Sequence, residues 1–191
     1  MRMVCSEAFV LIYIMNTLSV ITGFFAVNNF KPYGQKNGLT NENYLAWLGS
    51  IAAVCNSIRF VWSLMTDYLP YKTVYAILLC IQIVAAFTIP LVSDDAFLFA
   101  IWISVMLLCE GGHFTIVPNV LKKIYGEKGT TLYGIMFSYS GISSILLIIS
   151  QTEFLTSSAR SYDIFFYTCG GASVVSLAIL LLFFKEEKFV H

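Results

Sequence analysis

The fold turns on residues Ala96 to Val117, which read AFLFAIWISVMLLCEGGHFTIV. As an α-helix rising 1.5 Å per residue, this run reaches about 33 Å, enough to cross the roughly 30 Å hydrocarbon layer of a bilayer. Near its end stand Glu110 and His113, separated by Gly111 and Gly112. An acid and an imidazole inside such a run belong against protein or water rather than lipid.

The same reading extends over the whole chain. It has 191 residues, 58% of them hydrophobic and 12% charged, against about 25% charged in a soluble domain. So much apolar surface fits a bilayer, where it needs no burial against protein. The formal net charge is zero, so nothing attracts nucleic acid. The five cysteines are scattered singly, with no C-x-x-C pair. That spacing predicts neither a metal site nor a disulfide framework, and no cofactor is expected.

Apolar runs at 8–27, 45–65, 73–92, 96–117, 131–150 and 163–184 predict six transmembrane helices forming one domain over 1–191. The expectation is an all-α, integral, multi-pass membrane protein, with the bilayer as its first partner. Polar loops are expected at 28–44, 66–72, 93–95, 118–130 and 151–162, and Pro118 is expected to close the fourth span and free a carbonyl near Phe114.

Orientation follows from the lysine and arginine bias. Arg2, Lys72, Lys122, Lys123, Lys128, Lys185 and Lys188 fall at one set of ends; Lys31, Lys36 and Arg160 fall at the other. Seven against three puts both termini in the cytoplasm. Which membrane is involved is not legible. The centres of spans 1 to 3 recur about 90 residues later as those of spans 4 to 6. An odd number of spans per unit makes the second unit upside down, the inverted 3+3 repeat of certain transporters.

Two charges lie well inside spans: Arg59 in the second and Glu110 in the fourth. Each costs at least about 2.5–3.5 kcal/mol at such depth. Both fall three to four residues past their span centres, roughly 5–6 Å below the midplane, and pair if the two spans are neighbours. His113 follows Glu110 by three residues, on one helical face, where an imidazole exchanges protons with a carboxylate. The architectural alternative is a static Arg59–Glu110 pair that fixes register, with His113 bonded to a backbone carbonyl. Asn16, Ser19 and Gly23 form a small polar face on span 1. Gly49, Ala53 and Ser57 form a small-residue ladder on span 2, and Gly134, Ser138 and Gly141 another on span 5; helix packing or a polar path explains each. Tyr139 and Ser140 stand at mid-depth on span 5 as candidates to line such a path.

The segment Asn56 to Lys72, NSIRFVWSLMTDYLPYK, resembles a motif of the major facilitator superfamily: an Arg, a small residue four later, an Asp eight later, then a short basic turn. The segment Gly111 to Pro118, with Tyr125-Gly126 and Tyr133-Gly134, looks like the oxalate/formate antiporter and monocarboxylate transporter-like branch. The resemblance implies the carboxyl-terminal six-span half of a twelve-span transporter. It implies that Arg59 binds an anionic substrate in a central cavity and that Asp67 belongs to a cytoplasmic gate. Three departures stand out. Ser140 occupies the place of a cavity lysine in oxalate-type members, Cys55 that of an Asp in monocarboxylate members, and Ser63 that of a usual glycine.

The expected function is transport of a small organic solute, such as a monocarboxylate, by alternating access. Arg59, Asn16, Tyr139 and Ser140 would bind it, Glu110 and His113 would couple protons, and Asp67 would gate. A second six-span half or self-association would complete the cavity. The alternatives are a non-transporting truncated or assembly-partner protein, a six-span membrane enzyme, and a channel. No Gly-x-Ser-Gly with a later histidine, no arginine ladder and no Thr-Val-Gly-Tyr-Gly filter is present, so an enzyme is not expected.

Overall fold

In the computed structural model, described for residues 4–155 and 158–185, the chain is all-helical, with no strand among the described residues. Helices α1 (Glu7–Lys36), α2 (Glu42–Ser57), α3 (Phe60–Tyr68), α4 (Tyr71–Thr88), α5 (Ala96–Tyr125), α6 (Lys128–Met136), α7 (Ser138–Phe154) and α8 (Ala159–Leu182) follow one another, with a 3-10 turn at Ile89–Leu91. Helices α2 and α3 make one span, as do α6 and α7. The result is six helices long and apolar enough to cross a membrane.

Local chemistry sets the starts. Ser6 caps α1 by accepting the Phe9 N–H, and Asn41 caps α2 through the Tyr44 N–H. Asp95 caps α5 by accepting the N–H groups of Phe97 and Leu98, each at 2.9 Å. These side chains satisfy donors that have no partner within their helices. At the chain-terminus end of the bundle, Ser6 bonds Tyr125. There Lys72 Nζ donates to the carbonyls of Leu181 and Phe184, each at 3.0 Å. Lys123 Nζ donates to the Thr66 carbonyl. At the opposite end, Tyr33 donates to Asp163 at 2.5 Å and Tyr44 to the Ala96 carbonyl. The cations Lys72, Lys122, Lys123, Lys128 and Lys185 thus share one end, while Arg2 and Lys188 lie outside the described residues.

Four of the expected loops are largely helix among the described residues, and two of them carry the longest extensions. α1 runs nine residues past Val27 to Lys36, because Tyr33 and Gly34 are buried and Gly34 packs on Leu45 and Phe99. Buried backbone in that setting needs internal hydrogen bonds, which a continued helix supplies. α5 likewise runs through Pro118 to Tyr125. Pro118 therefore does not close the span. The carbonyl region it disturbs is served by a side chain: Tyr133 donates to the Phe114 carbonyl at 3.2 Å, one of the ways a span tolerates proline.

α1 and α5 are the pillars. α1 packs on α8, α7 and α5; α5 packs on α2, α3, α4 and α6. One core cluster, with Tyr71, Leu78, Val117 and Leu180, fills the chain-terminus end; a second, with Phe25, Tyr33, Phe99 and Phe166, fills the other. The second span is the least covered, with 17% of its apolar window buried against 50% for α1 and α5.

Spans 2 and 5 are each broken. The first break falls at Ile58, ten residues before the end of α3; the second falls at Phe137, nine residues after the start of α6. Both therefore lie about 14–15 Å from the chain-terminus end. Around Ile58 the backbone tightens to i→i−3 bonds: Ile58 N–H to Cys55, Arg59 N–H to Asn56 and Trp62 N–H to Arg59. Near Phe137, Ser138 and Ser140 hydroxyls donate to the Ile135 and Phe137 carbonyls, each at 2.8 Å. Such side-chain competition for helix carbonyls bends and interrupts helices.

Candidate functional site

The first break brings Arg59 to the surface of the second span. Its side chain is exposed, and its stem lies on Gly111: a Cβ placed on that glycine would meet Arg59 Cβ at 2.8 Å and Cδ at 2.9 Å, and would also strike Asn56 Oδ1. Thr115 Oγ1 donates to the Arg59 carbonyl at 3.2 Å. Arg59 is also the N-cap of α3, so the positive end of that helix dipole lies beside a guanidinium.

Glu110 is 8% exposed. Asn56 Nδ2 donates to its Oε2 at 3.0 Å, and no Arg59–Glu110 ion pair occurs among the described residues. The second and fourth spans are neighbours, as pairing required, but an amide rather than the guanidinium holds the acid. Asn56 Oδ1 has no hydrogen-bond partner; it sits over the Gly111 Cα, a position only a glycine leaves open. On its other side Glu110 presses on α1 at Gly23, where an added Cβ would come within 2.6 Å of Glu110 Cβ. Gly112 opposes Trp62 and Leu78. The two glycines of the opening stretch thus admit two different neighbours.

His113, fully buried, turns toward α4 and α1, away from Glu110's partners. Its Nε2 lies 2.8 Å from Gln82 Oε1, and its Nδ1 3.3 Å from Tyr75 OH. Gln82 Nε2 donates to the Ser19 carbonyl at 2.7 Å and to Ser173 Oγ at 2.9 Å. That leaves Oε1 as an acceptor, so His113 Nε2 carries hydrogen and Nδ1 is left to accept; the single Tyr75 hydrogen serves either Nδ1 or Ser19 Oγ. Ser19 Oγ lies 2.8 Å from Tyr75 OH and donates to the Met15 carbonyl at 2.8 Å. Thr22 joins Ser173 at 2.8 Å. This network ties α1, α4, α5 and α8 together, with His113 Nε2 and both amide atoms of Gln82 occupied. In a low-dielectric interior, completeness of that kind rigidifies.

The remaining expected residues are distributed. Asn16 is fully buried; its Nδ2 donates to the Ile12 carbonyl at 2.8 Å, and its Oδ1 lacks a partner. Tyr139 is buried, stacked on Phe114 at 6.3 Å, and donates to the His113 carbonyl at 3.4 Å. Ser140 is half-buried and bonded to the Phe137 carbonyl. Asp67 is exposed near the end of α3, beside the Thr66 carbonyl that Lys123 holds. Among the described residues no group of three or more His, Cys, Asp or Glu is placed to hold a metal ion.

Sequence reading missed Asn56 as Glu110's partner and Gln82 as His113's. Gln82 carried a signal: it is a lone amide at the centre of the third span, and an amide there needs protein partners.

No described protein family matches the chain, and no solved structure matches it. Over 110 residues, 56% of the chain, it is 26% identical to a protein named apicoplast pyruvate carrier 1 from Toxoplasma gondii. The match spans about a fifth of that carrier's length. The chain is similar, over part of its length, to a carrier of a monocarboxylate.

Proposed function

We propose that the chain spans a membrane six times and forms one wall of a path for a small organic anion, with a monocarboxylate such as pyruvate as the leading class. The observation that carries this reading is Arg59: an exposed guanidinium within an apolar span, at the break of that span and at the positive end of α3. Broken spans whose helix ends meet solute are a recurrent device of transporters. A charge so placed is functional by default. The partial likeness to a pyruvate carrier points to the same ligand class.

In this reading the chain is a six-span half of a major facilitator fold, an inverted 3+3 repeat working by alternating access with both termini cytoplasmic. A second half, or a second copy, covers the open face of α2 and α3. Arg59 holds the carboxylate, while Asn16, Tyr139 and Ser140 are proposed to contribute polar groups elsewhere along the path. Glu110 couples protons to transport, with His113 modulating through its own network, and Asp67 belongs to the gate. The test is uptake by the reconstituted 191-residue chain of pyruvate and of a neutral analogue, at several pH values. The reading expects saturable uptake of the acid alone, rising as pH falls, and a Glu110→Gln protein whose uptake no longer follows pH. Equal uptake of acid and analogue would refute it. A second reading, an assembly partner without transport of its own, is favoured by the short span of the matched carrier; it expects no uptake by the chain alone and uptake once a second half is co-reconstituted.

A further inference from the structure

A groove of about 500 Å³ lies between α7 and α8 near the end opposite the chain termini. It exists because both helices pack on α1 but scarcely on each other. Ile21 of α1 forms its floor, and Leu147 with Phe154 and Ile164 with Phe165 form its sides. Its two hydroxyls are already spoken for within their own helices: Ser150 donates to the Leu147 carbonyl at 2.9 Å and Thr168 to the Ile164 carbonyl at 2.8 Å. Apart from the Cys169 thiol, a weak donor, the lining offers an occupant none. On α8 it runs from Ile164 to Ala172, about 12 Å along the helix axis. A hydrocarbon chain meets that demand; a peptide, with backbone groups to satisfy, does not.

The mouth supplies the second half of the argument. Arg160 is exposed one turn above Ile164 on the same face of α8, and Glu153 is exposed on the flank of α7 beside Phe154. Arg160 and Glu153 thus stand within a turn of the slot's open end, at its edge and outside its lining. We infer that the groove holds one acyl chain of a zwitterionic phosphoglyceride, with its phosphate on Arg160 and its ammonium toward Glu153. The occupant is a lipid bound at a fixed place, distinct from the bilayer sliding past the other exposed faces. The site is independent of Arg59 and of the transport reading.

The test uses the full chain, delipidated in detergent and exposed to equal amounts of dioleoyl phosphatidylethanolamine and dioleoyl phosphatidylglycerol, with retained lipid read by native mass spectrometry. One retained phosphatidylethanolamine is expected, with at least a threefold preference over phosphatidylglycerol. Thr168→Trp, which fills the slot, should abolish retention. Arg160→Ala, a surface change, should lower it threefold or more, and Val174→Trp, on the exposed back of α8, should leave it unchanged. An acyl-chain diazirine probe should label peptides 146–154 and 164–172 above all others. Retention indifferent to both Thr168→Trp and Arg160→Ala, equal retention of the two lipids, labelling spread evenly over the six spans, or cross-linking of the groove to a second protein chain would each overturn the assignment.

Discussion

Replacing Gly23 by alanine probes the contact on which the buried acid depends. The new Cβ would stand 2.6 Å from Glu110 Cβ, 2.7 Å from its Cγ and 3.3 Å from its Cα. Ordinary contact begins near 3.4 Å, so the methyl intrudes by 3.4 − 2.6 = 0.8 Å on an atom one bond from the α5 backbone. No rotamer change moves Cβ, so α1 and α5 must separate, and Glu110 must shift against Asn56. Overpacking of this kind costs about 1–3 kcal/mol, which for a chain of this size lowers the melting midpoint by roughly 2–12 °C. Thermal unfolding in detergent, followed by circular dichroism, reads the shift. Gly171→Ala is the control, since nothing lies within 4 Å of its Cβ position; it should melt at or above the wild-type temperature. Adding Glu110→Gly to Gly23→Ala removes the struck atom, so the double variant should lose less than the sum of the two single changes. If Gly23→Ala melts like Gly171→Ala, α1 does not cross α5 on Glu110 and the geometry of the site is wrong.

Three further outcomes follow from the hydrogen bonds. Gln82→Leu strands the His113 Nε2–H and removes a second donor from the Ser19 carbonyl, and should cost about 1–3 kcal/mol in the same melting assay. Lys72→Met removes two bonds to carbonyls at the end of α8 and should cost about 1 kcal/mol, with earlier exchange of the amides near Leu181. Asn56→Asp places a second carboxylate against Glu110 and should weaken uptake most at high pH, where both are ionised, with activity recovering as pH falls; uptake against pH reads it.

The spans were legible because about 20 apolar residues leave few alternatives to a membrane helix. All six appear, each longer than its apolar run. Their ends were not legible. Asn28, Lys31 and Gln35 read as loop, yet α1 continues through them because Phe30, Tyr33 and Gly34 on the intervening positions meet the rest of the bundle. Polar residues on one side of a helix look like a loop when only composition is read. The breaks at Ile58 and Phe137 carried no proline; they arise from local carbonyl bonding by serines and from the seat of Arg59 on Gly111, which only the packed structure shows. That Arg59 and Glu110 are charges inside spans was read directly from the sequence; that their spans are neighbours was only a condition for their pairing, and the packing of α5 on α2 and α3 meets it. The partners of Glu110 and His113 were not read, because Asn56 and Gln82 are amides, and an amide inside a span carries no charge to draw notice.

Arg59 is where the transport account is most exposed to refutation. Uptake of radiolabelled pyruvate into liposomes should be measured for wild type, Arg59→Lys and Arg59→Ala at matched protein levels and matched melting temperatures. The account expects Arg59→Ala to lose at least tenfold, equivalent to about 1.4 kcal/mol of carboxylate binding, and Arg59→Lys to fall between, since a lysine keeps the charge but not the planar two-point grip. Wild-type uptake that survives unchanged in Arg59→Ala would contradict it.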